Sequence, residues 1–268
     1  MQLTRRQWLT LVPMLGSASA GAQAFDHTYA AWGGLLKKHV RWLADNKQSR
    51  VAYAGMAADR DALKSVLTGF SALTPAAYAG FSRTQQMAFL INAYNAFTIE
   101  LVLTEYPNLK SIKDVGSIVR SPWKKPFYTL LGETRNLDWI EHEQLRPRYN
   151  DPRIHTAIVC ASIGCPALKP EPYTAERLDE QLEDGMRRFL GDRTRNRAGA
   201  SKLEVSSIFK WFREDFEKGH QGFRQVEDVF ARYAAQLSDE PAVQEQLKAR
   251  QLAPQFLDYD WSLNDAGR

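Results

Sequence analysis

Residues 82–107 constrain this chain more than any other stretch. Ser82, followed three positions later by Gln85, forms a capping-box pattern, and the chain then runs apolar from Met87 to Leu103 before stopping at Pro107. Apolar side chains fall on almost every side of such a helix, so it has to be buried. Asn92 and Asn95, three apart, go into the interior with it, and Gln85 lies on the same face. Each buried amide needs partners, because an unsatisfied one costs about 1–3 kcal/mol. Two uses fit: orienting a catalytic group or a substrate carbonyl, or tying neighbouring loops to the helix.

Periodicity predicts further helices over 28–44, 59–70 with Asp59 as N-cap, 174–190, 207–216, 223–237 and 242–250. A short strand is expected at 51–54. Segments 127–131 and 134–137 flank Gly132 and Glu133 as a hairpin, after which Asp138 caps a short helix toward Leu145. Leu257, Tyr259, Trp261 and Leu263 alternate with polar residues, the pattern of a strand with one face in the core. No internal repeat interrupts the chain, and 192–201 is its only linker-like stretch. The expected fold is α+β, predominantly helical, with a small antiparallel sheet or hairpin, as one domain over 25–268.

Residues 1–24 read as a secretory leader: Arg5 and Arg6, a short apolar run to about Leu15, then small residues ending Ala22, Gln23, Ala24. The paired arginines before Gln7, Trp8 and Leu9 fit twin-arginine export, though a general secretory leader can carry them too. The apolar run is too short for a bilayer, which takes roughly 20 residues. The expectation is a periplasmic protein cleaved near Ala24, with no transmembrane segment afterwards. Removing Arg5 and Arg6 leaves 33 basic against 31 acidic residues, a net of +2. That balance argues against nucleic acid as a partner and leaves an unknown small molecule or protein. Arg187, Arg188, Arg193, Arg195, Arg197 and Lys202 form one basic cluster, read as a solvated face.

Both cysteines lie in 151–166, which also holds Asp151, an N-cap ahead of Pro152, and His155. On a regular helix or strand His155 and Cys160, five apart, would point in different directions and could not act as a base and nucleophile pair. Two cysteines in an oxidising compartment are expected to pair. Cys160 and Cys165 would be about 8 Å apart in an unbroken helix, so the chain must turn, and Gly164 and Pro166 provide for that. Such a short disulfide loop would contribute roughly 2 kcal/mol. A reactive thiol at Cys160 is the competing reading. Zinc is disfavoured, since His155, Cys160 and Cys165 give at most three ligands, and no other metal or cofactor is implied. Glu141, His142 and Glu143 form the other titratable cluster: His142 as a general base served by one glutamate, or a capped surface helix.

Several stretches together resemble the family named Domain of Unknown Function 547 (DUF547): Phe89-Leu-Ile-Asn92-Ala-Tyr-Asn95-Ala, Leu137-Asp-Trp-Ile-Glu141-His142 with Arg146, Asp151-Pro-Arg-Ile-His155 through Cys160-Ala-Ser-Ile-Gly-Cys165-Pro166, Ser207-Ile-Phe-Lys-Trp211-Phe with Asp215-Phe216, and Tyr259-Asp-Trp261-Ser-Leu-Asn264. The chain departs from that pattern at Glu100, where a histidine is expected, and at Thr156, where an aromatic is expected. The resemblance implies no particular reaction. Fusions of some members with redox-type domains imply thiol exchange, and plant relatives imply an interaction role. Two functions are therefore alternatives. In one, Cys160 is a nucleophile or redox thiol, Asn92 and Asn95 orient substrate or oxyanion, and His142 or His155 moves protons, with Glu141 beside His142 a further candidate. In the other, the protein is a binding or scaffold module stapled by a Cys160–Cys165 disulfide.

Overall fold

The computed structural model describes residues 24–115 and 121–267, so the leader read at 1–24 lies, Ala24 apart, outside the described residues. Its first half assembles around the apolar helix. Helix α1 (Ala30–His39) runs into β1 (Val40–Trp42), which pairs antiparallel with β2 (Ser49–Val51); α2 (Tyr53–Ala58), α3 (Arg60–Ser71), α4 (Pro75–Ala79) and the long α5 (Arg83–Leu103) come after it. Next come the hairpin β3 (Tyr128–Leu130) and β4 (Glu133–Arg135), a wide π-type helix Trp139–Leu145, α6 (Arg146–Arg148) and a 3-10 turn Pro152–Thr156. The remainder is α7 (Leu178–Leu190), β5 (Arg197–Gly199), β6 (Lys202–Ser206), α8 (Ile208–Trp211), α9 (Arg213–Phe216), α10 (Val226–Arg232), α11 (Ala234–Leu237), α12 (Pro241–Lys248) and β7 (Pro254–Leu257). Strand β6 pairs antiparallel with β5 and parallel with β7. The fold is α+β and predominantly helical, and among the described residues no helix is long and apolar enough to cross a membrane.

Two hydrophobic clusters organise these elements. One surrounds α5 and draws on α1 to α4, the hairpin and the 139–145 helix; the other gathers β6 and α8 to α12. Helix α7 belongs to both, with Leu178 and Leu182 in the first and Met186, Phe189 and Leu190 in the second. Between Met87 and Leu103 only Glu100 escapes full burial, as the apolar sequence requires. At its start Ser82 Oγ accepts from the Gln85 amide and Gln85 Oε1 accepts from the Ser82 amide, so the capping box forms and Gln85 is engaged in it.

The interior asparagines both bind backbone. Asn92 Nδ2 donates to Tyr173 O at 2.7 Å while its Oδ1 accepts from Tyr173 N at 3.0 Å. Asn95 Nδ2 donates to Ala157 O at 2.9 Å and its Oδ1 accepts from Val159 N at 2.9 Å. Each amide therefore pairs with an irregular segment as a neighbouring strand would, which is the loop-tying use.

Several local expectations shift for identifiable reasons. The first helix ends at His39, not 44, because Val40 turns extended (φ −105°, ψ 133°) to pair with Val51. Asp59 makes no cap; its carboxylate accepts from Lys38 at 2.5 Å and pairs with His39 at 2.6 Å. The hairpin turns on Leu131 and Gly132, both at positive φ, one residue earlier than read. Asn136, rather than Asp138, caps the next helix by accepting from Trp139 N at 2.8 Å. The alternating stretch 257–263 is not a strand: β7 ends at Leu257, and residues 260–264 lie along the cysteine loop. Five of the six clustered basic residues are committed to ion pairs, Arg187 with Glu183, Arg188 with Asp184, Arg193 with Asp239, Arg195 with Asp192 and Arg197 with Glu204.

Asn95→Ala strands the Ala157 carbonyl and the Val159 amide in the interior and should lower the free energy of unfolding by about 2–3 kcal/mol in urea denaturation, against about 1 kcal/mol for loss of the Ser82 cap in Ser82→Ala. Equal losses for the two variants would contradict the clamp.

Candidate active site

The segment after the 3-10 turn is neither helix nor strand. Asn95 holds it at Ala157 and Val159, and Ala161 then adopts the left-handed conformation (φ 62°), which costs a non-glycine residue roughly 1–2 kcal/mol. This turn folds the chain back so that Cys165 comes up behind Cys160. The C-terminal stretch zips along the loop: Asn264 N donates to Ala161 O at 3.0 Å, Ile163 N to Ser262 O at 2.8 Å and Gly164 N to Asp260 O at 2.8 Å. Gly164 is needed here, since a Cβ would stand 3.0 Å from both Asp260 N and Asp260 O. Beneath the loop, the buried Arg195 donates to the Cys165 carbonyl and is paired with Asp192.

The disulfide expected between Cys160 and Cys165 is not formed; both residues are thiols. They are nonetheless in contact, the Cys160 amide donating to Cys165 Sγ at 3.0 Å. Cys160 is half-buried and opens into a cavity of about 240 Å3, whereas Cys165 is buried. Cys160 Sγ lies 3.1 Å from Tyr259 OH and 3.4 Å from Ser162 Oγ. The Cys165 thiol, with further help from Ser162 and Tyr259, outweighs burial and lowers the Cys160 thiol to about 6. Burial, reinforced by the sulfur beside it, pushes Cys165 well above the ordinary thiol value.

The same cavity is lined by a wall of titratable groups. Glu141, from the π-type helix, is only 7% exposed. Its Oε2 accepts from Tyr94 OH of α5 at 3.2 Å, and its Oε1 lies 3.8 Å from His155 Nδ1. Burial raises the Glu141 carboxyl to about 7, with Tyr94 opposing the rise. His155, stacked on Phe212 with ring centroids 3.8 Å apart, bonds Asp215 Oδ2 through Nε2 at 2.8 Å. Burial lowers the His155 imidazole despite Asp215, so it is neutral. Asp215 also accepts from Arg146 and from Lys218, each at 2.5 Å; these bonds and the one from His155 overcome its burial and hold the carboxyl far below its usual range. His142 reaches the cavity edge, where its Nδ1 accepts from Arg146 at 2.9 Å and burial lowers its imidazole.

Of the residues singled out from the sequence, Cys160, Cys165, Glu141, His142 and His155 all line this one cavity, and Asn92 and Asn95 do not. His155 and Cys160 meet in it because 157–160 is irregular, so the rule that separates them on a regular element has no hold. Glu100 lies elsewhere, paired with Arg60 at 2.7 Å. Thr156 is buried against Gly185, where a Cβ would stand 3.2 Å from its hydroxyl. The sequence reading missed Tyr94, Asp215 and Tyr259, and also the aromatic mouth of Trp123, Trp211, Tyr259 and Trp261. There Trp211 is 47% exposed and stacks on Trp261 at 5.7 Å, and Lys113 Nζ lies 3.8 Å over the Trp261 ring. The signal was the 257–263 alternation, of which Leu263 does enter the core while Tyr259 and Trp261 line this cavity. No group of three or more His, Cys, Asp or Glu among the described residues could hold a metal ion.

Alkylation of Cys160 by iodoacetamide should follow a titration centred near 6, fast above that pH and lost below it, because a lowered thiol keeps its reactive thiolate down to about 6. Tyr259→Phe should move the midpoint upward, and Cys165 should remain unmodified at neutral pH. A midpoint near 9 in the unaltered protein would contradict this account of the sulfur.

No curated protein and no solved structure matches the chain. Residues 78–190 match the family model described as Protein of unknown function, DUF547, which supports the kinship read from the sequence over the stretch that carries both cysteines and the Glu141–His155 wall.

Proposed function

We propose that this protein is a thiol-dependent enzyme that carries out thiol–disulfide exchange, with Cys160 as the attacking thiolate and Cys165 as the thiol that completes the reaction. The observation that supports this reading best is the asymmetry of two touching residues on one cavity, Cys160 half-buried and activated, Cys165 buried and held in the thiol form. Cys160 thiolate attacks one sulfur of a substrate disulfide, forming a mixed disulfide and expelling the other sulfur as a thiolate. Cys165 then loses its proton and attacks Cys160, forming the Cys160–Cys165 disulfide and expelling the second thiolate. Two electrons pass from the dithiol to the substrate, and both expelled thiolates end as thiols.

The substrate is a small-molecule or protein disulfide whose apolar flanks rest on the aromatic mouth. Catalysis outside the cytoplasm is part of the proposal, and the leader pattern at 1–24 supports it. The alternative, a non-enzymatic module stapled by a Cys160–Cys165 disulfide, has less support because the two sulfurs are unbonded.

Reduced protein mixed with oxidised glutathione, quenched with acid and weighed by mass spectrometry tests the reading. The unaltered chain should end as the internal disulfide, Cys165→Ser should accumulate one glutathione on Cys160, and Cys160→Ser should react at least a hundredfold more slowly. A Cys160→Ser variant that reacts as fast as the unaltered chain, or a Cys165→Ser variant that carries no adduct, would overturn it.

A further inference from the structure

The structure assigns a proton donor to this chemistry: Glu141 is held in the cavity as a neutral carboxylic acid, aimed by the Asp215–His155 pair, and gives its proton to the thiolate expelled when Cys160 attacks. The assignment rests on the thiol chemistry proposed above and adds to it the group that makes a poor leaving group leave.

Asp215 sets the tautomer of His155. Bonded to Arg146, Lys218 and His155, its carboxylate only accepts, so the proton on neutral His155 is fixed on Nε2. Nδ1 then carries the lone pair, and it lies 3.8 Å from Glu141 Oε1. A lone pair facing a carboxylate is repulsive, whereas one facing a carboxylic O–H is complementary. Tyr94, packed on the other side, donates to Oε2 and leaves Oε1 as the oxygen that carries the proton. The remaining groups around Glu141 point the same way on balance. The Asp138 carboxylate and the Cys160 thiolate oppose its ionisation, and Arg146, which favours it, is already bonded to Asp215 and His142. Burial is the largest influence of all and raises the carboxyl to about 7.

Protons and electrons balance across the cycle. In the first step Cys160 sulfur bonds to the substrate sulfur, the sulfur–sulfur bond breaks toward the departing group, and that group takes the Glu141 proton to leave as a thiol. In the second step the Glu141 carboxylate takes the proton from Cys165 as it attacks Cys160, and the last thiolate is protonated by solvent. Glu141 is thus a catalytic residue, and His155 and Asp215 are positioning residues.

Leaving groups of different basicity test the assignment. An alkyl disulfide such as oxidised glutathione expels a basic thiolate that needs a proton, while a nitroaryl disulfide expels one that does not. Glu141→Gln should slow release of glutathione about a hundredfold more than it slows release of the first nitroaryl thiolate, with circular dichroism showing that the variant is folded. With the alkyl disulfide the rate should rise as Cys160 ionises near 6 and fall as Glu141 loses its proton near 7. Asp215→Ala removes the acceptor that fixes the imidazole proton on Nε2 and frees Arg146, and both changes favour the Glu141 carboxylate, so the falling limb should move to lower pH. The same effect of Glu141→Gln on both disulfides, or a falling limb unmoved in a folded Asp215→Ala, would overturn the assignment while leaving Cys160 chemistry standing. A chain that releases neither thiol would overturn the thiol reading itself.

Discussion

Two hydrogen bonds from one amide set the position of everything reactive in this molecule. Asn95 extends from a helix buried on almost every side and grips Ala157 O and Val159 N, the last peptide groups before Cys160. Those groups have no ladder of their own, so the helix supplies the partner that a neighbouring strand would otherwise give. With 157–159 fixed, the left-handed turn at Ala161 is held in place, and Cys165 is returned to within a hydrogen bond of Cys160. The C-terminal stretch then closes over the loop and carries in Tyr259 and Trp261.

The cavity that results has unequal sides. Its sulfur side favours negative charge, because donors from Cys165, Ser162 and Tyr259 converge on Cys160 and outweigh the cost of burial. Its Glu141 side disfavours negative charge, because burial prevails there over a single hydrogen bond from Tyr94. A thiolate and a neutral carboxylic acid are thus both favoured in one space, an arrangement that bulk water does not sustain between a thiol and a carboxyl of ordinary affinity. The cavity also draws on both hydrophobic clusters, Tyr94 and Ile158 from the first and Ile208 from the second, so its walls are held by packing on either side.

Much of this was legible in the sequence, and the failures share a cause. The buried helix, its capping box and the Asp151 cap ahead of Pro152 follow from local pattern alone, and all three are present. The need of Asn92 and Asn95 for partners was equally plain, but which partners was not, since Tyr173, Ala157 and Val159 are brought near only by tertiary packing. Residues Glu141, His142, His155 and Cys160 were singled out as reactive types; their convergence was hidden because the reading assumed regular elements where the chain has a π-type helix and a left-handed turn. Tyr259 and Trp261 were read as half of a buried strand, because an aromatic facing a cavity and one facing a core leave the same alternation. Asp215 carried no local signal; its role comes from bonds to His155 and Arg146, residues distant in the chain.

The claim that the two sulfurs form a working couple can be measured at equilibrium. Protein held in glutathione buffers of graded reduced-to-oxidised ratio, then quenched with acid, unfolded, trapped with a maleimide and weighed, should pass through one two-electron transition in which Cys160 and Cys165 lose their labels together and no glutathione remains attached. Two maleimides on every chain at all ratios, or a stable glutathione adduct in place of the internal disulfide, would contradict it.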